Sequence, residues 1–120
     1  MKTVITRSSK QTRQWGEKIA KKLKGGGTLA LSGKLGSGKT EFVKGLAWGL
    51  GVKKIVTSPT FILLNRYPFV AAGKKKNFFH LDLYRLKSKK EAGALGLNDL
   101  FRTRMSVVAV EWPEKIKNIL

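Results

Sequence analysis

The sequence contains no cysteine, and it has only seven acidic residues against 25 lysines and arginines, a net charge of +18 over 120 residues. The absence of cysteine excludes disulfides, thiolate metal sites and cysteine nucleophiles, and it is typical of proteins of the reducing cytosol. No apolar run reaches the roughly 20 residues that a membrane-spanning helix needs, and no secretory signal opens the chain. We therefore expect a cytoplasmic protein without a membrane partner.

The excess of basic residues favours a nucleic-acid partner, because clustered lysines and arginines gain affinity when phosphates release their counterions. The alternative is a lysine-rich proteome, in which the basic side chains cover a generally solvated surface. The basic residues form short groups at 21–24, 53–54, 74–76 and 85–90. No RNA-binding motif accompanies them, so the charge alone leaves both interpretations open.

Two segments have the apolar spacing of α-helices. Trp15, Ile19 and Leu23 recur at this spacing, and Ser8 with Gln11 predicts a capping box at the start of the helix. A second apolar stripe follows a glycine-rich segment. Its members are Phe42, Val43, Leu46, Ala47 and Leu50.

Apolar segments between the helices predict the strands of a sheet. Residues 28–32 and 106–110 have the pattern of short buried strands, residues 78–84 that of a strong strand, and residues 61–67 look extended. Residues 68–77 contain proline, glycine and three lysines, which predicts a hairpin loop. Strands interleaved with helices predict an α/β fold, with a mainly parallel central sheet flanked by helices and an antiparallel edge hairpin.

One motif indicates a specific chemistry: residues 33–40, GKLGSGKT, match the phosphate-binding loop (P-loop) pattern G-x-x-x-x-G-K-S/T in full. Its glycines let backbone N–H groups approach phosphate oxygens, and the following helix adds its positive N-terminal end. Lys39 is expected to reach the β- and γ-phosphates, and the Thr40 hydroxyl to coordinate Mg²⁺. A strand before the motif and a helix after it distinguish it from a chance glycine-rich turn. We therefore predict a single P-loop domain over 1–120.

Two of the seven acidic residues end or interrupt buried apolar segments, where a P-loop ATPase needs a carboxylate for Mg²⁺ or water. Glu111 directly follows the apolar run 107–110, and Asp82 shares a strand face with His80. The structural alternatives are a surface carboxylate for Glu111, an ion pair with Arg85 for Asp82 and a packed imidazole for His80. The functional interpretation is favoured for both acids, because a buried strand rarely has a carboxylate without a partner.

Four motifs, in this order, resemble the TsaE (YjeE) family: GKLGSGKT at 33–40, SPTF at 58–61, HLDLYRL at 80–86 and EWPE at 111–114. The resemblance covers nearly the whole chain. It implies an ATPase needed for threonylcarbamoyl modification of adenosine 37 in tRNAs that read ANN codons. It also implies work with the TsaB and TsaD proteins, contact with tRNA directly or through that complex, and ATP turnover that resets the complex without forming the adduct.

The resemblance further implies roles for single residues. Thr40 and Glu111 would hold Mg²⁺, and the implied catalytic residues are Asp82, Glu111 and Lys39. A switch-like loop would contain Ser58 and Thr60, and Trp112 would lie beside the site. His80, from its strand position next to Asp82, is a further candidate site residue. The cofactors would be ATP or ADP with Mg²⁺. The implied nucleotide-binding residues are Ser9, Thr12, Gly33, Gly36, Ser37, Gly38, Lys39, Thr40 and Glu41.

The chain departs from the family pattern at two places. Lys34 occupies the P-loop position where the family usually has aspartate, and we expect nucleotide binding to survive this change. The chain ends at Leu120, where family members normally continue with further strands, so we expect the C-terminal strands of the family to be missing.

Three functions compete on this evidence. The leading one is a slow ATPase stimulated by partner proteins, since no arginine finger stands near the P-loop in sequence. The second is a nucleotide-gated module that binds a partner or tRNA with little turnover. A small-molecule kinase fits poorly, because neither an arginine-rich lid nor an acceptor pocket is apparent.

Overall fold

The computed structural model describes residues 8–23, 26–31, 38–54, 56, 64–84, 96, 100 and 106–113. Within these residues the chain forms two α-helices and four β-strands. In chain order they are α1 (Ser9–Leu23), β1 (Gly27–Leu31), α2 (Lys39–Leu50), β2 (Leu64–Ala71), β3 (Lys74–Asp82) and β4 (Ser106–Glu111). Neither described helix is long and apolar enough to cross a membrane.

The four strands form one sheet in the order β1-β4-β3-β2. β4 pairs in parallel with both β1 and β3, and β2 pairs antiparallel with β3. The register places Glu111 opposite Leu31 on one side and opposite Asp82 on the other. The predicted α/β fold, with a mainly parallel sheet and an antiparallel edge hairpin, is therefore confirmed. The parallel strands bring their carboxyl ends to one edge.

Apolar side chains cover both faces of this sheet. On one face the helices pack over Phe78, Val107 and Ala109, and on the other Leu81 and Val108 belong to a second buried cluster. All six residues of β4 are buried, as the strand pattern predicts. β1 is a strand but not the buried one predicted, because it lies at one end of the described sheet with only β4 beside it, and three of its five residues are exposed.

The two helices begin and end close to their predicted positions. The Gln11 N–H donates to Ser8 Oγ at 3.2 Å, which is the serine half of the predicted capping box. The α2 stripe is buried apart from Phe42, which is half-buried. Gly51, at φ +95°, ends α2 in a left-handed conformation that glycine adopts without strain.

α1 and α2 pack with their backbones in direct contact. A Cβ atom on Gly45 would overlap the Arg13 carbonyl group, and one on Gly16 would overlap the Phe42 carbonyl oxygen. A Cβ on Gly49 would lie 2.8 Å from Ala20 Cβ. Residues early in α1 thus face residues early in α2 and later residues face later ones, so the two helices start at the same end of the molecule.

The hairpin differs from the prediction for residues 68–77. The structure shows strand over most of this range: β2 continues to Ala71 and β3 begins at Lys74. Ala72 and Gly73, at φ +51° and +74°, form a two-residue turn of the kind that matches strand twist. Pro68 is compatible with β2 because this strand is at the edge of the described sheet. The prediction was therefore wrong about the length of the loop.

Candidate nucleotide-binding site

The predicted site residues converge on the sheet edge where β1, β3 and β4 end. The P-loop motif connects β1 to α2, and β4, which ends at Glu111, is the direct neighbour of β1. Asp82, at the end of β3, is the register partner of Glu111. Glu111 therefore lies on the strand next to the P-loop strand, and Asp82 on the strand beyond it. Five predicted residues lie outside the described part of the chain: Gly33, Gly36, Ser37, Ser58 and Thr60.

The start of α2 has two features that favour phosphate binding. Gly38 precedes the helix at φ +92°, a left-handed conformation that favours glycine. Lys39, Thr40 and Glu41 form the first turn of the helix, where the backbone N–H groups point out of the helix end. Such N–H groups, with the positive end of the helix dipole, attract anions.

His80 and Glu111 form a buried pair between β3 and β4. His80 Nε2 lies 2.6 Å from Glu111 Oε2, and the two residues are 0% and 5% exposed. His80 is the register partner of Ala109, so Glu111 is its diagonal neighbour on the same sheet face. That is the face covered by α2. His80 Nδ1 is buried and has no hydrogen-bond partner among the residues that the structure describes.

Asp82 is half-buried at the end of β3 and is held by the backbone. Its Oδ1 accepts a hydrogen bond from the Tyr84 N–H at 3.0 Å. The Leu83 N–H donates to the Glu111 carbonyl at 3.1 Å, which keeps the ends of β3 and β4 together beyond the last paired residues. Arg85, the alternative partner of Asp82, lies outside the described residues.

Trp112 connects the start of α2 to the acid edge, which is the end of the sheet that carries Asp82 and Glu111. Its backbone has φ +60°, a left-handed conformation that is uncommon for a bulky side chain, so the chain turns sharply after Glu111. The Lys39 ammonium lies 4.3 Å from the centre of the Trp112 ring. The Tyr84 ring packs against the same tryptophan, with centroids 5.1 Å apart and planes tilted by 50°.

The first turn of α1 lies beside the first turn of α2. A Cβ atom on Gly38 would be 3.6 Å from Thr12 Cγ2, so Thr12 contacts the end of the P-loop motif. Ser9 is exposed one turn earlier. Glu41 lies 3.6 Å from both Arg13 Nε and Lys44 Nζ, which makes it a partner of two cations.

Tyr84 and Arg13 were not predicted as site residues. Tyr84 is an aromatic residue two positions after Asp82, and this spacing past a strand end is the signal that could have found it. The sequence has no signal for Arg13, because its partner Glu41 belongs to another helix.

The donors at this edge fit a magnesium ion. The hydroxyl of Thr40 and the carboxylates of Glu111 and Asp82 are oxygen ligands, which Mg²⁺ prefers. The described residues contain no group of three or more His, Cys, Asp or Glu side chains able to hold a metal. Magnesium sites of this type use one or two carboxylates and complete the shell with substrate phosphates and water.

The chain is an α/β protein of the P-loop NTPase type. This class is defined by a strand, a P-loop motif and a helix in succession, with acids at the ends of neighbouring parallel strands. The family model described as "Threonylcarbamoyl adenosine biosynthesis protein TsaE" matches residues 6–120. The chain belongs to the TsaE family.

Curated relatives support this assignment along most of the chain. A protein from Treponema pallidum (strain Nichols) is 37% identical over 97% of this chain and 82% of its own length. One from Aquifex aeolicus (strain VF5) is 40% identical over 98% of this chain and 80% of its own length. One from Borreliella burgdorferi (strain ATCC 35210 / DSM 4680 / CIP 102532 / B31) is 42% identical over 74% of this chain and 61% of its own length. All three are named "tRNA threonylcarbamoyladenosine biosynthesis protein TsaE".

Proposed function

We propose that this chain binds Mg·ATP and hydrolyses it slowly, and that the turnover supports threonylcarbamoyl modification of adenosine 37 in tRNA. It acts in the cytoplasm with the TsaB and TsaD proteins. The observation that supports hydrolysis best is the buried Glu111, held by His80 at 2.6 Å at the end of the strand next to the P-loop strand. The names of the relatives support the pathway.

Glu111 is suited to hold a metal or a water in one orientation. A carboxylate accepts hydrogen bonds, so His80 donates from Nε2 to Oε2. This contact fixes the rotation of the carboxylate and leaves Oε1 for a ligand. A buried carboxylate needs such a partner, because an unpaired charge away from water is costly. We assign Glu111 and Thr40 to Mg²⁺ and Asp82 to the second acid of the site.

Lys39 is suited to exchange one partner for another when nucleotide binds. A cation–π contact such as that with Trp112 contributes about 0.5–1 kcal/mol at a site open to water. A hydrogen bond to a charged group contributes about 1.5–3 kcal/mol. We therefore expect Lys39 to leave the Trp112 ring for the phosphates of ATP, which leaves Trp112 with a changed environment.

The test is Mg·ATP hydrolysis by the purified chain, alone and with TsaB and TsaD. Glu111→Gln keeps the shape of the side chain but removes its charge, and it should lower turnover by about 100-fold or more while ATP still binds. Glu17→Gln, on α1, is the matched control and should leave turnover unchanged. Hydrolysis that survives Glu111→Gln would contradict the role of this residue.

A nucleotide-gated binding module is the competing function, and the same variants separate the two. ATP that binds tightly without turnover under any condition would favour the module. In that case Thr40→Ala and Glu111→Ala chains would keep TsaB and TsaD bound wherever nucleotide still binds.

A further inference from the structure

A basic groove lies at the end of the sheet opposite the candidate nucleotide site. It has a volume of about 860 Å³, and its lining contains five cationic side chains: Lys53, Lys54, Arg66, Lys75 and Lys76. Lys76 precedes Asp82 by six residues of β3, which corresponds to about 20 Å of extended strand. The lysines of the hairpin are therefore well separated from Asp82.

Rigid backbone holds these cations in place. Lys75 pairs with Val70 and Lys76 with Phe69, next to the tight turn at Ala72 and Gly73. Lys75 and Lys76 are adjacent on β3, and both line the groove. Lys53 and Lys54 follow the capped end of α2 and are preceded by Val52, which is buried and whose N–H donates to the Ala47 carbonyl. The charges sit on a preformed surface, not on a flexible tail.

The charge of the groove is positive throughout its described lining. None of the described residues that line it is acidic. Glu41 pairs with Arg13 and Lys44, and Glu111 contacts His80, so these acids are engaged at the opposite end of the molecule. Val70, which is 63% exposed, lies beside Lys75 and adds an apolar surface. The groove thus combines concentrated positive charge with a small apolar strip.

We propose that this groove binds the phosphate backbone of RNA. The choice of tRNA as that RNA rests on the proposed function. A polynucleotide presents negative charge at every residue, and each neutralised phosphate releases counterions, so several fixed cations in one groove act together. Phosphate contacts position a nucleic acid without reading its sequence, which suits a groove that offers cations and few other polar groups.

The experiment measures binding of an unmodified transcript of a tRNA that reads an ANN codon, by fluorescence anisotropy at several salt concentrations. The test variant is Lys53→Gln/Lys54→Gln/Lys75→Gln. We expect its affinity to fall about tenfold or more, and the slope of log affinity against log salt to shrink by about 3. Circular dichroism and ATP binding check that the fold and the nucleotide site are intact.

The matched control removes three exposed lysines of α1, as Lys10→Gln/Lys18→Gln/Lys21→Gln, so that net charge changes equally. It should leave affinity within about twofold and the slope nearly unchanged. Equal losses in both variants would mean that charge acts diffusely, and this would overturn the proposal. A groove variant that binds tRNA normally but no longer binds TsaB–TsaD would overturn it too, and would assign the groove to an acidic protein surface.

Hydrolysis and RNA binding fail independently in this design. A chain without ATP turnover that still shows groove-dependent tRNA binding would contradict the proposed function and support the groove. A chain with partner-stimulated turnover, whose tRNA affinity is the same with and without the groove lysines, would support the proposed function and contradict the groove.

Discussion

His80 Nε2 and Glu111 Oε2 lie 2.6 Å apart, although the two residues are 31 positions apart in the sequence. They belong to neighbouring parallel strands. The small side chain of Ala109 faces His80 across the strand pair and leaves room for this diagonal contact. The pair is both a structural link within the sheet and the support of the carboxylate that we assign to magnesium.

Loss of the imidazole should affect stability and turnover together. His80→Ala removes a buried hydrogen bond to a carboxylate and leaves a cavity, so we expect the free energy of unfolding to fall by about 2–4 kcal/mol. Urea unfolding measures this change. His80→Gln keeps a side-chain donor, and it should recover part of the stability and part of kcat at nearly unchanged KM for ATP.

A double-mutant cycle distinguishes a specific contact from general packing. The cycle of His80→Ala and Glu111→Ala, in which each single change removes the contact, should give a coupling free energy of about 1.5–3 kcal/mol, because the two side chains touch and one of them is charged. A coupling near zero in urea unfolding would contradict the assigned hydrogen bond.

Trp112 should report nucleotide binding. We expect Mg·ATP to change its fluorescence, because Lys39 leaves the ring for the phosphates. A Trp15→Phe/Trp48→Phe chain leaves Trp112 as the sole emitter among the three tryptophans. In that background Lys39→Ala should abolish the change at ATP concentrations that saturate the parent chain. The opposite finding, an unchanged response in Lys39→Ala, would show that the lysine does not couple the ring to the nucleotide.

Gly45→Ala should destabilise the chain although alanine is the better helix former. In an exposed helix this substitution stabilises by about 0.8–1 kcal/mol. Here the added Cβ would overlap the Arg13 carbonyl group, and overpacking of this kind costs about 1–3 kcal/mol. Thermal unfolding gives the sign of the net change. A raised melting temperature would mean that α1 does not pack on α2 as described.

The hairpin turn offers a pair of substitutions with opposite effects. Gly73→Ala meets no atom within 4 Å, so its expected cost of about 1 kcal/mol comes from φ +74° alone. Ala72→Gly relieves the positive φ at the other turn position and should leave stability unchanged or slightly raised. Thermal unfolding of both variants tests the turn. Equal changes in melting temperature would contradict the positive φ angles at these two positions.

The sequence predicted the acid edge because its signals are local. Glu111 follows an apolar strand directly, Asp82 and His80 alternate along another, and the P-loop motif identifies a third strand that leads into a helix. Parallel pairing then brings strand ends together without any further information. The 2.6 Å contact itself depends on register, which no single segment encodes.

Other features depend on contacts between distant segments, and they could not be predicted. Gly16, Gly45 and Gly49, which let α1 and α2 pack closely, look like helix breakers in the sequence. A close approach of two backbones leaves no apolar pattern that would reveal their role. The Lys39–Trp112 contact joins a helix to a strand end 73 positions later. Residues 68–77 were assigned to a loop since proline and lysines are poor strand formers, whereas the register with Leu64–Ala71 overrides these preferences.

α2 spans the distance between the candidate nucleotide site and the basic groove. It starts at Lys39 beside the acid edge and ends at Leu50, shortly before Lys53 and Lys54 of the basic groove, about 18 Å away. α1 packs against this helix at Gly45 and Gly49, and the helix continues without a break between its ends. The two regions are therefore joined by a single helical segment of backbone instead of a loop.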